Sequence, residues 1–247
     1  MNTLALPPEL WLGIMKLMRR RNLCSLALVN RHLSEIARSE LFTSFSYKAL
    51  DPANYDDGQT QFAKERQEIH RFLSLAEGPA RFARIWSYTR YHLHYNRDPD
   101  EERELQTISN LSILSLSGMP LSGAVLEPVS LLPKLSSLTL SKILSYGLMP
   151  RHILLNVEHF KLEVDARAGL RNEIDTLEYN LTFDPKRLRS LAVKDDINLF
   201  STVADALAED KVEFPLLVSL ELAVMRLDMS SIYHVLPLLP ALKTLAI

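Results

Sequence analysis

The chain is poor in the residues that make crosslinked or reactive proteins. It holds one cysteine, Cys24, among 247 residues, so an internal disulfide is excluded. A reducing compartment, cytoplasmic and/or nuclear, is the natural fit. Seven glycines and thirteen prolines are too few for a disordered or fibrous chain. No uninterrupted apolar run reaches the roughly 20 residues needed to span a bilayer, so no membrane is expected as a partner. At the N-terminus the basic residues follow the apolar stretch, and Glu9 and two prolines lie inside it, an order opposite to that of a secretory signal. Charge of one sign is also missing: 28 basic residues against 30 acidic ones leave a formal net charge of -2, which does not favour nucleic acid. There is no Gly-x-Ser-x-Gly elbow, phosphate-binding glycine loop, Cys-x-x-Cys pair or His-Glu-x-x-His helix. We therefore expect neither an enzyme nor a cofactor. Cys24 reads as a helix-core residue rather than a nucleophile. His92 and His94 would share one strand face; without a third ligand nearby they read as surface histidines, with a metal site as the alternative.

An apolar content of 47% supports a real core of one large or two small domains. The densest pattern lies in the first 45 residues. Pro7 and Pro8 stand where a helix can begin, because the first turn needs no amide donors. Glu9 suits the positive helix end. Leu10, Trp11, Ile14, Leu17 and Met18 follow at helical spacing as one apolar stripe, closed by Arg19, Arg20 and Arg21. Asn22 reads as the N-cap of a second helix carrying Leu23, Leu26, Ala27 and Val29. Asn30 or Arg31 starts a third, with Leu33, Ile36, Ala37, Leu41 and Phe42 as its apolar face. Three such helices bury little surface, so their stripes require a partner or a following domain.

This segment resembles an F-box, whose pattern falls on Leu6, Pro7, Glu9, Leu10, Ile14, Leu17, Met18, Leu23, Leu26, Leu28, Val29 and Arg31. It departs from that pattern in the turn, where three arginines replace the usual Asp or Pro, and at Leu33, where an aromatic is common. The resemblance implies docking onto the small adaptor subunit of an SCF ubiquitin ligase and, through it, onto a cullin. The adaptor-binding residues it implies are Leu6, Pro7, Leu10, Ile14, Leu17, Leu23, Leu26 and Val29.

Residues 48–60 read as a polar linker, followed by a helix over 61–76 that Gly78-Pro79 stops. Phe82 to Tyr95 reads as an aromatic-rich extended segment, and the acidic run Asp98 to Glu104 as a solvated loop. Beyond residue 110 a template recurs: apolar, two spacers, apolar, one spacer, apolar. It occurs at Leu111-Leu114-Leu116, Leu135-Leu138-Leu140, Val157-Phe160-Leu162, Leu188-Leu191-Val193, Leu217-Leu220-Leu222 and Leu242-Leu245-Ile247. The starts lie 24, 22, 31, 29 and 25 residues apart. Pro133, Pro215 and Pro240 each stand two residues before a copy, where proline stops a helix and forces a turn into a strand. Helix-like stretches at 125–132 and 199–208 fill intervals, and Leu177-Tyr179-Leu181-Phe183 alternates like an extra strand.

This resembles a diverged, fungal-type leucine-rich repeat solenoid of short strands and return helices. The polar residue expected three places after each copy is mostly missing, with Met119, Ile143, Asp165, Asp196 and Met225 in its place. The expected fold is thus α/β: a three-helix F-box at 1–47, a linker and helix at 48–79, and an irregular solenoid at 80–247. The spacers would face outward. They run from hydroxylic (Ser115, Ser117, Ser137, Thr139, Ser141) to charged, and His159, Lys161, Glu163, Lys194 and Glu221 are the candidates for binding a substrate protein. An ordinary solvated sheet face is the alternative. The chain stops on Ile247, the last residue of a template copy, whereas solenoids need a polar end cap. A shortened family member is expected; an edge covered by an oligomer or ligand is the alternative. Together these readings point to a substrate receptor of an SCF ligase. Two others stand beside it: an adaptor-bound protein outside any cullin complex, and a repeat scaffold whose N-terminal helices merely cap the solenoid.

Overall fold

The computed structural model describes residues 6–48, 79–89, 108–118, 123–143, 153–164, 181–194, 213–223 and 229–247. The expectations for the linker and helix up to residue 76, for His92 and His94, for the acidic run, for the helix at 199–208 and for Met119, Asp165, Asp196 and Met225 lie outside them.

Three helices open the chain: α1 (Pro8–Lys16), α2 (Arg20–Leu26) and α3 (Arg31–Leu41). Pro7 caps α1 in an extended conformation, with Pro8 inside the first turn. Asn30 caps α3, its side-chain oxygen accepting from the Leu33 amide at 2.9 Å. Asn22 does not cap α2. The connection after α1 is so short that α2 begins at Arg20, with Arg19 as a cap that makes no side-chain bond, and Asn22 lies within the first turn. Met15, Leu23, Ile36 and Ala37 form a small core, against which Trp11, Met18, Leu26, Leu33 and Leu41 pack. The single stripe expected on α1 is therefore two. Trp11, Met15 and Met18 point inward, and roughly 100° around the helix Leu10, Ile14 and Leu17 point out. Cys24 is exposed, because the residue after buried Leu23 is rotated away from the core.

Ten strands follow among the described residues: β1 (Ser44–Lys48), β2 (Ile85–Thr89), β3 (Ile113–Ser117), β4 (Ser137–Ile143), β5 (Ile153–Leu155), β6 (His159–Val164), β7 (Leu181–Phe183), β8 (Ser190–Lys194), β9 (Ser219–Ala223) and β10 (Thr244–Ala246). Eight of them make one parallel sheet in the order β1-β2-β3-β4-β6-β8-β9-β10, and β5 pairs with β7 in a second sheet. The register aligns every template copy. Leu114, Leu138, Phe160, Leu191 and Leu220 form one buried row, and Leu116, Leu140, Leu162, Val193 and Leu222 form the next. The same phase runs back through Ala83-Trp86-Tyr88 at β2 and Phe45 on β1, which the register aligns with the template copies and which pack on the same core. At β10, an edge strand among the described residues, Leu245 and Ile247 are exposed.

The prolines act through turns. Pro133, Pro215 and Pro240 occupy the second position of turns closed by Leu135 N–Leu132 O, Leu217 N–Phe214 O and Leu242 N–Leu239 O bonds of 3.4, 3.2 and 3.1 Å. Proline's fixed φ suits that position. The turn from Ile108 to Leu111 has the same bond at 3.2 Å without proline. Helices α4 (Gly123–Ser130) and α5 (Met229–Val235) cover one face of the large sheet. Leu126, Val129, Leu155, Phe183, Ile232 and Val235 share its core, and the Phe160 and Phe183 rings lie 4.9 Å apart. Where a polar residue was expected, Ile143 is buried. The β4–β6 register shifts between Leu140 and Ile143, and Lys142 adopts φ 52°, so the bulge turns the next side chain inward.

Leu138→Ala, at the centre of the buried rows, is expected to destabilise the protein by about 3 kcal/mol, measured by urea unfolding. Leu131→Ala, at a side chain 71% exposed, should stay within about 0.5 kcal/mol. Asn30→Ala should cost about 1 kcal/mol and Asn30→Gly a few tenths, the mark of a lost helix cap.

Candidate functional site

Two surfaces are presented by this architecture, one on the helices and one on the sheet. Six of the thirteen exposed large apolar side chains among the described residues fall between Leu6 and Val29. They are Leu6, Leu10, Ile14, Leu17, Leu28 and Val29, with exposures of 39, 54, 42, 89, 88 and 63%. Leu10, Ile14 and Leu17 share a face of α1 at helical spacing. Leu28 and Val29 stand in the turn before α3, held there by amide bonds to Ser25 and Leu26 carbonyls at 3.1 Å. Such a concentration of apolar surface on a small unit marks an interaction face.

Two residues expected on that face differ. Leu23 is buried and joins Met15 and Ile36 in the helical core, and Leu26 is half-buried against it. They hold the helices together because α2, with seven residues, has a single face to offer the core. Leu28 was not among the expected binding residues. Its signal was present, an apolar pair immediately before the polar cap Asn30.

The open face of the large sheet carries the spacers. Its middle row runs Ser46, Ser87, Ser115, Thr139, then Lys161, Ala192, Glu221 and Ala246. The hydroxylic half lies toward the helices and the charged half away from them. All five charged candidates fall on β6, β8 and β9. Glu163 and Lys194 are direct neighbours, their Oε1 and Nζ atoms 3.4 Å apart. Lys161 and Glu221 are exposed and separated by the small Ala192, two strand spacings or about 10 Å apart. His159 stands between Ser137 and Ser190. Among the described residues the patch is thus dipolar, with one internal pair, Glu163–Lys194, and the opposite charges of Lys161 and Glu221 outside it.

The two surfaces are joined through the end of α3. Thr43 donates its hydroxyl to the Ser39 carbonyl, and its own carbonyl accepts the Arg84 and Ile85 amides at 2.9 and 3.0 Å. Arg81 reaches back to α3, one guanidinium nitrogen donating to both carboxylate oxygens of Glu35 at 2.8 and 3.1 Å. Among the described residues no helix is long and apolar enough to cross a membrane. No group of three His, Cys, Asp or Glu side chains there could hold a metal ion. A comparison with curated proteins finds no match. A family model for the F-box domain matches residues 4–45, the span that holds all three helices and their exposed apolar face. The chain therefore carries an F-box domain at its N-terminus.

Proposed function

We propose that the chain is the substrate-recognition subunit of an SCF-type E3 ubiquitin ligase, itself without catalytic activity. The F-box binds the adaptor subunit and through it a cullin, and a diverged leucine-rich repeat domain of fungal type holds a substrate protein. One observation carries the adaptor half of the reading: the apolar face of α1 and the turn before α3 is exposed although its sequence is that of a buried stripe. Leu6, Pro7, Leu10, Ile14, Leu17, Leu28 and Val29 are the residues we assign to that contact. The substrate half is supported by the in-register parallel sheet, whose apolar template residues turn inward and leave a continuous row of spacers outside. His159, Lys161, Glu163, Lys194 and Glu221 are assigned to it. The mechanism is proximity. A bound substrate presents its lysines at a high effective concentration to a ubiquitin-charged conjugating enzyme on the same scaffold. Such a role belongs in the cytoplasm or nucleus. The rival scaffold reading, with helices that merely cap the sheet, would have Leu10, Ile14 and Leu17 buried, and their exposure favours the receptor.

Co-purification with the adaptor tests the first half. The wild type should retain it, and Leu10→Ala/Ile14→Ala should lose it while keeping its unfolding temperature. Each truncation of a buried interface anchor is worth about 2 kcal/mol, roughly 30-fold in affinity. Adaptor retained by the double variant would remove the assignment, and adaptor bound without cullin would favour a role outside the ligase. For the second half, Lys161→Glu/Glu163→Lys should release proteins captured from an extract, read by quantitative mass spectrometry, with adaptor binding unchanged. Capture unaltered by the swap would take recognition away from the sheet face.

A further inference from the structure

Helix α1 has a third face. Leu12 and Lys16 lie on the side away from Leu10, Ile14 and Leu17, and they line a cleft of about 830 Å³ between the helices and the start of the sheet strands. Three more cations reach this cleft from separate segments: Arg81 from the turn before β2, Arg84 at the mouth of β2 and Lys134 before β4. Among the described residues, Glu40 is its one lining carboxylate. Arg81 is neutralised by Glu35 at 2.8 Å and lies 4.5 Å over the Phe82 ring. Lys134 donates to the neutral Asn110 side chain and keeps its full charge. Lys16 and Arg84 have no side-chain partner among the described residues. Among the described residues, an excess of two positive charges therefore collects in a concave site of a chain whose net charge is -2. Low-dielectric walls concentrate that field on whatever enters.

We propose that this cleft binds an acidic, partly apolar peptide segment of a partner protein. Charge complementarity selects the sign, and Leu12 and Phe82 supply apolar wall between the cations, which suits carboxylate side chains alternating with aliphatic ones. A nucleic-acid backbone fits poorly, since such binding draws on roughly six to ten phosphate contacts and the cleft offers two uncompensated charges. The face is separate from the exposed stripe of α1, so the peptide and the adaptor bind together. The proposal does not rest on the ligase reading.

Anisotropy of a fluorescein-labelled (Glu-Leu)4 peptide on the full chain tests it, with (Gln-Leu)4 and a single-stranded oligonucleotide as comparison probes. The acidic peptide should bind in preference to both, more weakly as salt rises. Lys16→Glu/Arg84→Glu should weaken it at least tenfold, and the milder Lys16→Gln/Lys134→Gln by a smaller factor, both at exposed positions that leave the circular dichroism spectrum unchanged. Leu10→Ala/Ile14→Ala should bind the peptide as the wild type does, whatever its adaptor affinity. No binding of (Glu-Leu)4, equal binding in the charge variants, or tighter binding of the oligonucleotide would overturn the proposal. Loss of the adaptor in the charge variants would also overturn it, assigning the cleft to the adaptor surface.

Discussion

One repeated hydrogen-bond arrangement sets the position of everything else. At the start of each sheet strand a carbonyl accepts two consecutive amides of the next strand. The accepting carbonyls are those of Thr43, Arg84, Ser112, Ser136, Glu158, Arg189 and Val218, the last taking the Lys243 and Thr244 amides, with bonds of 2.7–3.2 Å. Two amides on one oxygen leave no freedom to slip, because a shift by one residue would send every apolar side chain to the solvent face. Ser112 and Ser136 reinforce the arrangement, each hydroxyl donating at 3.0 Å to the carbonyl of the preceding strand. The buried rows follow from this register, and so does the row of spacers on the opposite face.

The helical unit is part of the same system. Its last helix runs through Thr43 into β1, and Thr43 supplies the first carbonyl of the series. The apolar face of α1 and the charged face of β6, β8 and β9 therefore belong to one framework, with no free hinge between α3 and β1. The Arg81–Glu35 pair braces that junction from outside. Its two side chains are 39 and 51% exposed, so it adds orientation more than stability.

Much of this was legible because it rests on periodicity. The six template copies and their prolines predicted strands that the structure places in one parallel sheet; in the first five the template residues are buried, while in the sixth Leu245 and Ile247 are exposed. The start of the third helix was legible to within one residue, at Asn30 or Arg31, and the structure makes Asn30 the cap. Other features escaped for physical reasons. Trp86 and Phe45 fill the places leucines hold in later strands, but in the sequence β2 reads only as an aromatic-rich extended segment. Met15 went unread because a stripe on a short helix allows two phases, and packing against α3 decides between them. The bulge at Lys142 is a backbone event that no side-chain pattern announces. The cleft is assembled from Lys16, Arg84 and Lys134, far apart along the chain, and no local motif could join them.

The intervals between successive template copies vary from 22 to 31 residues, yet the strands meet in the same register apart from the one shift at Ile143. A longer connection between two strands costs little additional chain entropy, and the register of the strands does not follow the length of the interval. Insertions and deletions between strands can accumulate over generations without displacing a single spacer, while each spacer remains free to vary without touching the core. The architecture thus separates the inheritance of its shape from the inheritance of its specificity.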